Sequence, residues 1–157
     1  MVYPDSKHRN ALALGESFQT FVAAVLLKHL GVTLHFNQTP QEQYDLGETQ
    51  EGYEIKLDEW CCRTGRLSIE IGEKTQASLS AFTPSGIMRE DNTIYYVQGN
   101  RTRLWVFRKA MLRYIYNQGD YPVISDNPPT IQKFYLPLGV AERLADYAFT
   151  VAPAPAQ

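Results

Sequence analysis

The chain has 157 residues, of which 44% are hydrophobic and 12% aromatic, enough to build the buried core of one domain. A net charge of -2 and a pI near 5.9 exclude a globally basic, histone-like protein. The two cysteines are adjacent, which excludes a framework of spaced disulfides and fits a reducing, cytoplasmic compartment. We expect one domain over residues 1–150, a flexible tail over 151–157 and no membrane association, because the apolar run at 21–27 is too short to span a bilayer.

The first half of the chain predicts a long helix followed by strands. Apolar residues at three- and four-residue steps indicate a helix over 6–30, and a short strand over 33–37 follows. The segment "QTPQEQ" then predicts a turn that leads into an extended stretch ending at Asp45. Two alternating stretches, 53–58 and 67–71, predict strands that pair as an antiparallel meander about the loop "CCRTGR".

The second half predicts further strands with two helices. The stretch "QASLSAFTPSGIMREDN" is rich in Ser, Pro and Gly and predicts a short helix and an ordered loop. Strands are predicted at "TIYYVQG", "RLWVF" and "KFYLPL", and helices at 109–117 and "VAERLADYA". This order of elements predicts a mixed α/β (α+β) fold, with a central mixed β-sheet flanked by helices instead of a repeated βαβ ladder.

The polar face of the strand over 53–58 carries the candidate chemistry. Side chains alternate along a strand, so Glu54 and Lys56 share one face and the apolar residues share the other. The turn glycines would let Asp45 sit beside Glu54, and two converging carboxylates form an oxygen site suited to Mg²⁺ or Mn²⁺. A lysine beside such a metal can orient or help to deprotonate a water aimed at phosphorus. The alternative is a solvated strand face with an incidental ion pair.

These residues resemble the PD-(D/E)XK nucleases, the restriction-endonuclease-like superfamily that includes Holliday junction resolvases and phage endonucleases. The resemblance rests on Asp45, then Glu54 and Lys56, after a long helix that ends in glycine, and it covers roughly residues 8 to 110. It implies a restriction-endonuclease-like core in which Asp45 and Glu54 bind metal and Lys56 positions the attacking water. The segments "GRLSIEIGEK" and "PSGI" are similar to those of a subgroup of phage and bacterial members.

The resemblance also implies an activity, a metal and partners. It implies a Mg²⁺-dependent DNA endonuclease, with Mn²⁺ as a substitute metal, that hydrolyses phosphodiester bonds as a homodimer. Branched, Holliday-junction-like DNA is the specific expectation, and restriction-like or nicking activity is the enzyme alternative. The compartment would be the cytoplasm, that of the host if a phage encodes the chain. The alternative of another class is a non-catalytic nucleic-acid-binding or assembly module that retains the nuclease fold.

Accessory site residues remain open at this level. Many relatives carry a helix glutamate where Gln19 stands here, and the acid in this chain is Glu16, about one turn earlier. Positions three apart lie on one helix face, so Glu16 could complete the site from the neighbouring turn. In the predicted meander Glu70 would face Lys56, either as a structural cross-strand pair or as a third carboxylate.

A basic segment after the central strands is the candidate DNA interface. Arg103, Arg108 and Lys109 stand among aromatic residues, and Arg and Lys contacts to phosphate supply most of the sequence-independent affinity for DNA. The alternative is ordinary surface arginine. The sequence leaves both interpretations in place.

Overall fold

The computed structural model describes the backbone of residues 6–151 and the side chains of residues 13–151. Within this range the helices are α1 (Ser6–Leu30), α2 (Pro40–Leu46), α3 (Cys61–Thr64), α4 (Lys109–Asn117) and α5 (Leu138–Leu144). The strands are β1 (Tyr53–Leu57), β2 (Arg66–Glu73), β3 (Thr83–Pro84), β4 (Tyr95–Gly99), β5 (Arg103–Arg108), β6 (Ile124–Ser125), β7 (Ile131–Pro137) and β8 (Tyr147–Thr150). A 3-10 turn spans Gly86–Met88. Apart from residue 151, the tail predicted over 151–157 lies outside the described residues.

The strands form two sheets in the described part of the chain. The first has the order β1-β4-β5-β8, with β1 parallel to β4 and the other pairs antiparallel, and the second has the antiparallel order β3-β2-β7-β6. The mixed α/β class is therefore confirmed. The single central sheet flanked by helices is not what forms, because the first sheet packs against α1 on one face and against the second sheet on the other.

Alternating burial along β4 and β5 explains this layering. The residues that pack toward the second sheet are Tyr96, Trp105 and Phe107. The residues that pack toward α1 are Val97, Leu104 and Val106. Because both faces of these strands are buried, they carry continuous apolar runs in place of an apolar and polar alternation. The first sheet is thus the middle layer, and β1 forms one of its edges.

Several predicted elements are confirmed. The long helix has the predicted bounds, and Gly31 follows it with a φ of +66°, a left-handed conformation that glycine adopts without a steric penalty. The helix over 109–117 and the strand beginning at Tyr53 also form as predicted. Among the described residues no helix combines the length and apolar character needed to cross a membrane.

The segment before β1 is where local structure differs most from the prediction. The predicted extended stretch is wrong, because Asp45 lies on helix α2. Thr39 and Glu42 form a capping box at its start, in which the Thr39 side chain accepts the Glu42 N–H and the Glu42 side chain accepts the Thr39 N–H, and Pro40 fits the first turn. The predicted strand over 33–37 is reduced to one bridge, from Phe36 to Thr49.

The predicted meander of the strands at 53–58 and 67–71 is also wrong. β1 pairs in parallel with β4, whereas β2 pairs with β7 in the second sheet. Helix α3 and Gly65, whose φ is +75°, turn the chain out of the first sheet between them. The Ser68 N–H donates to Asp58 Oδ2 at 2.8 Å, so the two sheets remain joined beside the end of β1. At the C-terminal end, α5 stops at Leu144 and strand β8 forms instead of a longer helix.

Candidate active site

The candidate site begins on β1, at the edge of the middle sheet. Glu54 pairs in register with the buried Tyr96 of β4 and faces the second sheet, which leaves only 6% of Glu54 exposed. Lys56 is two residues further on the same face, and its Nζ lies 3.7 Å from Glu54 Oε1 with 38% of the side chain exposed. The strand therefore holds a buried carboxylate beside a half-buried ammonium group, as its alternation predicts.

Glu48, in the turn before β1, provides the second carboxylate. Its Oε2 accepts the backbone N–H of Ile55 at 3.0 Å, and its Oε1 accepts from Gln19 Nε2 at 2.6 Å. An edge strand has backbone donors without a neighbouring strand, and a carboxylate satisfies one of them here. Helix α1 and strand β1 thus fix Glu48 from two sides.

These groups line one cavity of about 250 Å³, which we call the Glu54 cavity. Its walls come from α1, α2, β1 and the loops that precede β1 and β4. The lining residues are Gln19, Gln43, Glu48, Glu54, Ile55, Lys56, Arg89 and Asp91.

Burial makes ionisation of both glutamates unfavourable. It is the main reason that the pKa of Glu48 rises from 4.5 to about 7, and the nearby charge of Glu54 adds to the effect. Burial also raises the pKa of Glu54, although the attraction of Lys56 opposes that rise. For Lys56, burial favours the neutral amine, but attraction to Glu54, Glu70 and Glu48 outweighs burial and raises its pKa. The site therefore holds an ammonium group beside two carboxyl groups whose pKa values are raised by burial.

One of the two acids, Glu54, is also incompletely satisfied by hydrogen bonds. Glu54 Oε2 is buried and has no hydrogen-bond partner among the described residues, a condition that a cation relieves. No group of three or more His, Cys, Asp or Glu residues in the described range is arranged to hold a metal. Glu48 and Glu54 are a pair, and Mg²⁺ commonly binds through one or two carboxylates while waters and substrate phosphates complete its shell.

The third acid in the Glu54 cavity already has a partner. Asp91 Oδ1 lies 2.8 Å from Lys109 Nζ, and the two side chains are only 2% and 5% exposed. Although burial favours the neutral acid, the hydrogen bonds from Lys109 and from the Thr93 N–H hold the pKa of Asp91 below its ordinary value. Asp91 and Lys109 therefore act as a structural pair behind the cavity.

The structure places two of the acids predicted for the site elsewhere. Asp45 is exposed on α2, accepts from Gln41 Nε2 at 2.8 Å and is not among the residues that line the Glu54 cavity. Glu16 is exposed on α1 and also does not line it. Of the two helix residues considered, it is Gln19 that reaches the cavity, through its bond to Glu48.

Glu70 does lie near Lys56, for a different reason from the one predicted. It belongs to β2 in the facing sheet, and its negative charge contributes to the raised pKa of Lys56. Both residues line a second cavity, of about 390 Å³. The two sheets bring these side chains together across the interlayer space, without backbone pairing between β1 and β2.

The predicted basic stripe is occupied by ion pairs within the fold. Arg103 pairs with Glu142, and Arg108 Nε lies 3.0 Å from Asp146 Oδ2. Lys109 is only 4% exposed and also donates to the Arg89 carbonyl at 2.6 Å. These three side chains therefore bind acids and a carbonyl of the same chain.

Sequence reasoning missed Glu48 and Arg89. The signal for Glu48 was present, because the capping box at Thr39 and Glu42 predicts a helix that removes Asp45 from any strand end. Glu48 is then the first acid after α2, with Glu51 following it before β1. Arg89 lines the cavity beside Glu54 and lies 3.1 Å from Glu73, yet nothing in its local sequence distinguishes it from other arginines.

Comparisons of the chain with protein-family models, with curated proteins and with solved structures find no match. The chemistry of the site is therefore the basis for its interpretation. One buried and one partly buried carboxylate, an ammonium group and a guanidinium group around one cavity can hold a divalent cation and a phosphate together.

Proposed function

We propose that this chain is a metal-dependent DNA endonuclease built on a restriction-endonuclease-like core. The observation that carries the proposal is the convergence of Glu48, Glu54 and Lys56 on one cavity, where one buried Glu54 oxygen has no hydrogen-bond partner among the described residues. Such an arrangement is costly for folding unless it serves a ligand, because buried acids with raised pKa values oppose their own ionisation.

Glu48 and Glu54 are the residues that would hold Mg²⁺ or Mn²⁺. Their side chains supply hard oxygen ligands, and the hydrogen bonds to Ile55 and Gln19 hold Glu48 in one orientation. Asp45, the ligand implied by the resemblance, is replaced in this role by Glu48. When bound, the metal would supply Lewis-acid stabilisation of the charge that develops on the scissile phosphate.

Lys56 would hold the attacking water and stabilise charge. Because the surrounding glutamates raise its pKa, Lys56 is an ammonium group at neutral pH and donates hydrogen bonds without accepting a proton. We therefore assign it to positioning the water and to electrostatic stabilisation, and not to general-base catalysis. A donor placed where charge develops contributes most in a partly dry site.

Arg89 is the candidate contact to the scissile phosphate. It lines the Glu54 cavity, and its Nε is buried without a hydrogen-bond partner among the described residues. A guanidinium group with an unused donor is suited to a phosphate oxygen. In hydrolysis of a phosphodiester at this site, Arg89 would bind the phosphate, and Lys56 would position the attacking water and stabilise the developing charge.

The expected substrate remains branched DNA cut by a homodimer, with duplex cleavage or nicking as the alternative. The test is cleavage of a labelled four-way junction and a matched linear duplex with Mg²⁺ or with EDTA. We expect Mg²⁺-dependent cutting by the parent protein and a loss of ~10² to 10⁴ in rate for Lys56→Ala.

Two controls make this assay decisive. Lys28→Ala removes an exposed lysine from α1 and should cut like the parent. Binding in Ca²⁺, followed by gel shift, should be similar for all three proteins, because many contacts share the phosphate affinity. A parent protein that never cuts DNA, or a Lys56→Ala protein that cuts normally, would refute the proposal. DNA binding without cutting would identify the non-catalytic module instead.

A further inference from the structure

A surface beside the candidate site combines aromatic rings with basic side chains. Trp60 is 58% exposed at the start of α3, and Arg63 lies over its ring at 5.4 Å. On the neighbouring strands, Arg66 lies 3.6 Å from the centre of the Tyr135 ring and Lys133 lies 5.7 Å from it. We call these five residues the Trp60 surface.

The basic residues of the Trp60 surface are free to bind a partner. Within residues 13–151, neither Arg63, Arg66 nor Lys133 makes an ion pair with a carboxylate. Arg103 and Arg108 of the predicted basic stripe are both paired, whereas these three side chains keep their charge available. Stacking on the rings of Trp60 and Tyr135 holds the guanidinium groups of Arg63 and Arg66 in place without neutralising them.

The Trp60 surface is continuous with the candidate site. Trp60 and Lys133 line the 390 Å³ cavity that also includes Lys56, and Lys56 is shared with the Glu54 cavity. At the back of the 390 Å³ cavity, Gln98 is 2% exposed, and its Nε2 donates to both Asp58 and the Ser68 carbonyl. The amide oxygen of Gln98 is buried and has no hydrogen-bond partner in the part of the chain that the structure describes, so this wall is polar and incompletely satisfied.

The acids of the cavity restrict how a nucleic acid could lie. Glu59 and Glu70 line the same space as Trp60 and would repel a phosphate inside it. A neutral nucleobase has no such conflict, and it gains from stacking on an exposed indole ring. The phosphates would then lie outside the cavity, against Arg63 and Arg66.

We propose that the Trp60 surface binds an unpaired stretch of DNA next to the cleavage point, with one base stacked on Trp60. This assignment rests on the proposed function and specifies its substrate as DNA that contains a single-stranded segment beside the scissile phosphate. Base faces are available for stacking only where the strand is unpaired, since in a duplex they are covered by neighbouring bases.

Fluorescence titration with a 12-nucleotide single strand in EDTA tests this binding without cleavage. Of the two tryptophans, Trp105 is 1% exposed, so quenching on binding reports Trp60. We expect tryptophan quenching for the parent and none for Trp60→Phe. Measured by anisotropy, the affinity of Trp60→Phe for the single strand should stay close to that of the parent. Trp60→Ala should bind roughly tenfold or more weakly, the loss expected for one stacked base.

Charge variants and a duplex complete the test. Changing Arg63 and Arg66 together to Ala should weaken binding and reduce the slope against log salt by about one to two, whereas Arg108→Ala should leave both unchanged. The inference is overturned if Trp60→Ala binds like the parent, if no quenching occurs, or if the matched duplex binds as tightly and with the same dependence on Trp60. A protein that binds single strands through Trp60 yet never cuts with Mg²⁺ supports this surface and refutes the nuclease.

Discussion

Glu48 accepts the backbone N–H of Ile55 at 3.0 Å, which ties the acid before the strand to the residue between Glu54 and Lys56. The bond exists because β1 is an edge strand whose outward donors lack a strand partner. It brings the two carboxylates to one cavity and makes the position of Glu48 depend on the strand. The geometry of the site is therefore set by a tertiary hydrogen bond.

Glu48 and Asp45 should differ sharply in their effect on cleavage. Glu48→Gln removes a proposed metal ligand and should lower Mg²⁺-dependent cutting about 100-fold or more, a loss comparable to that of one electrostatic group in an active site. Asp45→Asn, on exposed α2, should retain activity within a few fold. Single-turnover rates on the labelled junction measure both. The reverse pattern would return the metal to Asp45 and refute the assignment of Glu48.

The raised pKa of Glu48 should make the fold less stable as pH rises. Because its pKa is about 7 when folded and 4.5 ordinarily, the native state holds this proton more tightly than the unfolded chain between those values. Stability from this group is therefore greatest below pH 4.5 and declines up to about pH 7, by a total of about 3 kcal/mol. Glu48→Gln carries no titratable group and should lack this decline.

Urea unfolding in EDTA at pH 5 and pH 8 measures the difference. The free energy of unfolding of Glu48→Gln minus that of the parent should be larger at pH 8 than at pH 5, by about 2.5 kcal/mol, because the parent alone loses stability as Glu48 ionises. Asp45→Asn is the matched control and should not reproduce the difference. Equal pH dependence in the parent and Glu48→Gln would show that Glu48 titrates normally.

Mg²⁺ should stabilise the folded chain, and more strongly at higher pH. A ligand that binds only the native state at 100 times its Kd stabilises by about 2.7 kcal/mol. Protons compete with the metal for Glu48, so the gain in Tm at a fixed Mg²⁺ concentration should be larger at pH 8 than at pH 6. Differential scanning calorimetry measures it. Glu54→Gln should abolish the gain, and an unchanged gain in that variant would place the metal elsewhere.

Removing Lys109 should destabilise the fold far more than removing the adjacent Arg108, because the first belongs to a buried ion pair and the second to an exposed one. Lys109→Ala leaves Asp91 buried without its partner, a change that typically costs ~3 to 5 kcal/mol of stability. Arg108, with 66% of its side chain exposed, should have little effect on stability when changed to Ala, because water screens its ion pair with Asp146. Urea denaturation compares them. Similar small losses in both would mean that the Asp91 pair does not support the fold.

Local pattern was enough to predict several elements and part of the site. The three- and four-residue spacing predicted α1, and strand alternation placed Glu54 and Lys56 on one face of β1. These features depend on residues a few positions apart, so they are readable from the sequence. The Thr39 and Glu42 capping box is equally local, and it favours helix α2 over the extended segment predicted there.

Long-range pairing decided the rest. The choice of β4 as the partner of β1, and of β7 as the partner of β2, depends on packing among segments far apart in the chain. That packing buries Glu54, brings Glu70 across from another sheet and places Glu48, and not Asp45, at the Glu54 cavity. It also uses Arg103 and Arg108 in ion pairs and leaves Arg63 and Arg66 free of them among the described residues. Burial and ion pairing depend on which segments meet, and neighbouring residues in the sequence do not specify that.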